Sequence, residues 1–250
     1  MLLLDTKILV NGCGITYSQQ KIKTWANILQ LAGCTIVDVS GPAVSNQWIL
    51  NKTLLGLQQH SDIKTAVVQL TSLGKLDVHV DQKRINQLVI KDPLRNFIID
   101  EHFEVKTRDQ IDTTGIWPSS GSNHHESKKQ WYEWLCSPFL EKEDIYCKLI
   151  LLDNYCQQRN IKLHVYQGYQ IEWNSQQIIG LQSIIKNIDS SFWSKYSQSL
   201  HYLKHDDNRT SVPGMGYQIE IAQIIAKELP QSIQDKLIKF KSAYDISQQN

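Results

Sequence analysis

The chain has 250 residues, 41% hydrophobic and 20% charged, with a formal net charge of +1. That is enough apolar material for one sizeable core, and it suits a single α/β domain with an insertion better than two compact domains. The near-neutral charge argues against nucleic-acid binding through bulk electrostatics, and no stretch approaches the roughly 18 apolar residues of a membrane span.

Ile8, Leu9 and Val10 form a short buried run that Asn11-Gly12-Cys13-Gly14 breaks. A helical pattern follows from about Gln19, with Ile22, Trp25, Ile28, Leu29 and Ala32 on one face and Gly33 as the stop. Thr35 to Val39 reads as a second strand. Ser40 to Asn46 is a loop that ends in helix-cap chemistry, and Trp48 to Leu57 forms the next helix. Ile63 to Leu70 is the third strand. This β-α-β-α-β opening implies right-handed crossovers and a parallel sheet of four or five strands, with 7–12 as a central strand. In such sheets ligands sit beyond the carboxyl ends of the strands.

Regularity then fades. Leu76 to Val80 alternates and fits an extra strand, but about Asp81 to Lys128 is polar and broken by Pro93, Gly115, Pro118 and Gly121. An insertion at about 81–134 of this length is expected to carry function or a partner, and Trp117, Trp131, Tyr132 and Trp134 fall within it. Packing of those rings on the domain is the competing expectation. Leu140 to Arg159 reads as a long helix with a stripe of Ile145, Leu149, Leu152 and Cys156. Ile161 to Tyr166 is the fourth strand. Gln176 to Ile188 and Phe192 to Leu203 are helical or part-helical, Met215 to Leu229 is a helix, and Gln231 to Tyr244 repeats its pattern.

The five cysteines, Cys13, Cys34, Cys136, Cys147 and Cys156, are odd in number and include no C-x-x-C pair. Reduced thiols made in a cytosol are the simpler reading, with no metal or other cofactor expected. His124-His125-Glu126 lacks a third ligand at helical spacing and reads as a loop. Leu2 to Leu4, interrupted by Asp5, is too short for a signal-peptide core. A phosphate-binding reading of Gly12-Cys13-Gly14 is weak, because no acid is expected at the second strand end in the dinucleotide-binding manner.

The stretch NGCGIT resembles the first block of the SGNH (GDSL) hydrolase family, most closely the Gly-Cys-Ser-Phe-Thr form in small proteins of tailed phages. The resemblance implies a three-layer α/β/α, flavodoxin-like parallel sheet with an inserted irregular segment. It implies an SGNH-like domain over 1–230 and a C-terminal helix and tail over 231–250. The family's acyl transfer needs a serine nucleophile, a histidine base oriented by an aspartate, and an oxyanion hole. The serine position falls on Gly14, which has no side chain. Gly41 matches the second block, with Ser45-Asn46 trailing it in the phage-type manner. Thr71 stands where the third block carries an asparagine, either as a donor or as a strand-end cap. Val212-Pro213-Gly214 matches the histidine block, and Val212 takes no proton. Arg209 and Thr210 stand at the aspartate positions, with Asp206 and Asp207 close by.

The crevice expected from the resemblance therefore contains Cys13, Gly14, Thr16, Gly41, Asn46, Thr71 and Asp207, with catalysis lost at Gly14 and Val212. Cys13 as a thiol nucleophile would need a base such as His201 or His205; a packing role is favoured. The implied protein is a catalytically inactive SGNH-like binding or structural module in the tail, neck or fibre of a phage virion. It would be made in the host cytoplasm and would contact other virion proteins or a surface glycan, with homo-oligomerisation left open. Two alternatives stand beside it: an active esterase or deacetylase acting on surface glycans with displaced catalytic residues, and a phage protein that stays free in the cytosol.

Overall fold

The computed structural model describes residues 7–13, 24–41, 44–71, 73, 75–81, 97–100, 105–107, 114–120, 138–167, 171, 173–181 and 215–247. In chain order these form β1 (Lys7–Asn11), α1 (Trp25–Leu31), β2 (Thr35–Asp38), α2 (Asn46–Gln59), β3 (Thr65–Leu70) and β4 (Lys75–Asp81). Then come β5 (Phe97–Asp100), β6 (Val105–Thr107), β7 (Thr114–Ser120), α3 (Pro138–Gln158), β8 (Lys162–Gln167), α4 (Ser175–Leu181), α5 (Met215–Ala226) and α6 (Gln231–Ser247).

Four strands make an all-parallel sheet in the order β2-β1-β3-β8. The first strand is interior, as its uninterrupted apolar run requires: Ile8, Leu9 and Val10 are fully buried. Right-handed crossovers explain the layers. The chain steps from β1 outward to β2 through α1, then reverses across β1 to β3 through α2, so the two helices lie on opposite faces. The step from β3 to β8 continues in the second direction and places α3 beside α2.

Two apolar clusters follow from this arrangement. Leu9, Ala66, Val68 and Val165 pack with Trp48, Ile49 and Leu57 of α2 and Ile145, Leu149, Leu152 and Cys156 of α3. Ile8, Val10 and Val67 pack with α1, α5 and α6 through Trp25, Ile28, Ile219, Ala222, Ile225 and Ile233. Side chains alternate between the two faces along each strand, as the pleat demands. The result is a three-layer α/β/α arrangement.

The helix ends follow local chemistry. The Thr24 N–H donates to Asn27 Oδ1 at 3.0 Å before α1, and Gly33 ends that turn at φ +103°. The helix starts at Trp25, and Ile22 lies outside the described residues. Ser45 caps α2, accepting the Trp48 N–H at 3.0 Å. The stripe of α6 is spent on its own chain: Ile233 and Leu237 are buried, with Phe240 and Tyr244 packed beside them. Ile238 and Ile246 of that helix remain exposed.

The insertion departs from expectation. The stretch read as irregular contains β5, β6 and β7, which join β4 in an antiparallel sheet of order β4-β7-β5-β6. The expected extra strand therefore exists but belongs to a second sheet. Pro118 and Gly115, read as breakers, lie inside β7. The pairing of β5 with β7 reaches only Ile116 and Gly115, so Pro118 stands where that side of the ladder asks for no donor. Trp131, Tyr132, Trp134 and the expected helix over Phe192 to Leu203 lie outside the described residues, as does the end of the expected Gln176 to Ile188 helix beyond Leu181. Among the described residues no helix is long and apolar enough to cross a membrane.

Candidate functional site

The order β2-β1-β3 makes the gap between β1 and β3 the point where the chain's direction of travel reverses, the place where open α/β sheets bind ligands. Cys13, Gly41, Asn46 and Thr71 all belong to this end of the sheet. Gly14, Thr16, Asp207 and Val212 lie outside the described residues, as do His124, His125, Glu126, His201 and His205.

The strand ends are tied together by their own polar groups. The Val39 N–H donates to Val10 O at 3.0 Å and the Gly41 N–H to Gly12 O at 3.1 Å, joining the β2 loop to the β1 turn. Asn11, at the last position of β1, donates from Nδ2 to Ile49 O at 2.7 Å and to Thr53 Oγ1 at 2.9 Å, and its Oδ1 accepts the Gly12 N–H at 2.7 Å. Asn46 bridges to the third strand end. Its Oδ1 accepts the Thr71 N–H at 2.7 Å, and its Nδ2 donates to Thr71 O at 3.1 Å. Both residues are 0% exposed. The first turns of α2 thus hold the ends of β1 and β3, with the β2 loop tied to β1.

The site glycine has a packing reason. A Cβ on Gly41 would stand 2.9 Å from Trp48 Cη2 and 2.9 Å from Val44 Cγ1. The indole of Trp48, 1% exposed, fills the space that a side chain at position 41 would take. Cys13 is 2% exposed and belongs to the same apolar cluster as Val44 and Trp48. A thiol so enclosed serves packing rather than attack on a substrate, because a nucleophile needs access.

Three features escaped the sequence reading. Asp38 is the last residue of β2, so an acid does stand at the second strand end. Its Oδ1 accepts from the Ser40 N–H at 2.9 Å and from Ser40 Oγ at 2.5 Å, an Asx-type turn that ties it to its own loop. Desolvation lifts its carboxyl above the ordinary value, against the two Ser40 hydrogen bonds, although part of the side chain keeps contact with solvent. Asn11 looked like a turn residue and is a buried clamp. Gln218, in the first turn of α5, accepts the Trp25 N–H at 2.8 Å and so fixes the start of α1 against α5. The one available signal for these was a polar residue inside an otherwise apolar run.

Burial shifts three further groups. Burial pushes the Cys34 thiol up to about 11 and the Cys156 thiol up to about 12. Burial, reinforced by Glu228, raises the Tyr166 phenol at the end of β8 to about 12. Among the described residues no group of three or more His, Cys, Asp or Glu side chains could hold a metal ion. No protein-family model matches the chain, and no curated protein matches it significantly.

Proposed function

We propose that this chain is a catalytically inactive SGNH-hydrolase-like module that binds or builds rather than reacts, working as a virion component in the tail, neck or fibre of a phage. The observation that carries the inactive half is the hydrogen-bonding at the strand ends. Asn46 and Thr71 are buried against each other, Asn11 is spent on α2, and Cys13 is enclosed in the core. Polar groups used this way support the fold and are not aimed at a developing oxyanion. Glycine at position 14 and valine at 212 add the chemical reason, since neither attacks a carbonyl nor takes a proton. The particle location and the partners, other virion proteins or a surface glycan, rest on the resemblance of NGCGIT and the VPG stretch to the phage-type proteins.

Hydrolysis of p-nitrophenyl acetate tests the chemistry. The wild-type chain is expected at background, assayed beside a Gly14→Ser, Val212→His variant that restores the nucleophile and base. Turnover by the wild type that Cys13→Ala abolishes would overturn the reading in favour of a thiol esterase. Electron microscopy of the intact source particle with a labelled antibody tests the location; label on the particle supports it, and label confined to the soluble lysate contradicts it.

A further inference from the structure

The second sheet has an edge strand, β4, that pairs with one other strand among the described residues and has an unusual sequence. The order β4-β7-β5-β6 places β4 outermost, and among the described residues only β7 pairs with it. The opposite edge, β6, spans only Val105–Thr107. By contrast β4 runs for seven residues, KLDVHVD, without Gly or Pro. Long regular edges invite pairing with another strand, and proteins usually blunt them by shortening, bulges, proline or charged side chains. Of these, β4 carries only the charges Lys75, Asp77 and Asp81, which oppose a random partner strand but not one of complementary sequence.

The sequence of β4 complements itself when reversed. With a two-fold axis at Val78, Lys75 stands opposite Asp81, Leu76 opposite Val80, and Asp77 opposite His79. Every oppositely placed pair is then cation with acid, imidazole with acid, or apolar with apolar. Opposite charges facing across an antiparallel pair stabilise it, and like charges destabilise it. A parallel arrangement in register would instead stack Lys75 on Lys75 and Asp77 on Asp77.

Backbone parity agrees with this axis. Pro118 faces Asp77 in the β4–β7 ladder. Proline has no N–H, so it fits the pair in which neither residue bonds the other. Bonds to β7 then come from Leu76, Val78 and Val80, and the N–H and C=O groups of Lys75, Asp77, His79 and Asp81 turn outward. In the two-fold arrangement these four residues meet each other: Lys75 with Asp81 of a second copy, and Asp77 with His79. The outward groups are thus the ones the self-pairing needs.

We infer that β4 is a homodimerisation edge, where two copies of this chain pair their β4 strands antiparallel about Val78 and join their inserted sheets into one. The contact is isologous, so it closes at two copies and does not propagate into a fibre. It depends on the inserted sheet alone and stands apart from the reading of the strand-end crevice.

Sedimentation velocity of the full chain over a concentration series tests this. A monomer–dimer equilibrium is expected. Asp81→Lys places lysines opposite each other at both symmetric positions and should weaken association roughly tenfold, and the swap Lys75→Asp with Asp81→Lys should restore it. A wild-type chain that stays monomeric, an Asp81→Lys variant that dimerises like wild type, or a swap that does not restore association would each overturn the proposal. A second variant reads the register without changing charge. In a background where Cys136 and the exposed Cys147 are serine, Val78→Cys should form a disulfide-linked dimer under mild oxidation, because the axis brings the two position-78 Cα atoms to about 4.5 Å. Leu76→Cys should not, since Val80 is its opposite. Failure of Val78→Cys to cross-link, or equal cross-linking by Leu76→Cys, contradicts the axis.

Discussion

The two sheets of this protein spend their polar groups in opposite ways. In the parallel sheet, side chains at the strand ends turn inward: Asn11 ties β1 to α2, and Asn46 ties α2 to the end of β3. In the antiparallel sheet, β4 keeps one side of its backbone without a partner among the described residues. Topology makes this difference. Crossover helices cover both faces of a parallel sheet and leave its strand ends as the natural ligand site, and here Asn11, Asn46 and Thr71 at those ends are hydrogen-bonded within the fold. The antiparallel sheet inserted between β3 and α3 has no such helices of its own among the described elements, and its β4 edge is where the proposed association would begin.

The strongest way to break this comparison is to open the parallel sheet's end. Asn46→Ala strands a buried N–H and a buried C=O on Thr71, and the two losses together should cost about 3 kcal/mol of stability in urea unfolding. A loss within error of zero would mean water readily replaces the amide, and the end of β3 would then be open.

Alkaline titration probes the same core from the other side. Cys34, Cys156 and Tyr166 are acids whose folded pKa values lie above their unfolded values of 9.0, 9.0 and 10.0. The folded chain therefore holds more protons than the unfolded chain at high pH. Their stabilising contribution is complete below about pH 9 and is lost as pH rises through 11 to 12. Tyr166→Phe should flatten the fall between pH 10 and 12, by about 2 to 3 kcal/mol at its upper end. An unchanged slope would place the phenol in water.

A smaller effect sharpens the role of Gly41. Gly41→Ala pushes a methyl group against Trp48 and Val44 and should destabilise by about 1 to 2 kcal/mol, without changing ester hydrolysis from background. The smallest effect is expected at the opposite end of the sheet. The Lys7–Asp62 ion pair, 2.7 Å long, joins a half-buried lysine to an exposed carboxylate, and Asp62→Asn should barely move the unfolding midpoint. Those two variants bracket what packing and surface charge contribute.

How much of this was legible follows from the physics of each region. The parallel strands announced themselves as apolar runs joined by short periodic helices, and crossover handedness did the rest. Ser45 as a helix cap and the stripe of Ile233, Leu237, Phe240 and Tyr244 were equally plain, because capping and periodicity are local. The antiparallel sheet was hidden. Its strands β5 and β6 hold four and three residues, and β7 carries Gly115 and Pro118, so local preference pointed to loops while cross-strand pairing decided the outcome. The strand ends were legible in the sequence, but their hydrogen bonds were not. Asn46 was singled out, yet its partner lies 25 residues away, and the partners of Asn11 lie 38 and 42 residues away. No spacing rule reaches that far.

Native-state hydrogen exchange at the Thr71 amide tests the central claim most directly. Its N–H is buried and donates to Asn46 Oδ1. Exchange as slow as that of Val67 and Val68 in the same strand is predicted, requiring an opening of nearly the whole domain. Exchange of Thr71 at the rate of a surface loop, while Val67 and Val68 stay protected, would show the strand ends to be an open crevice and contradict the account.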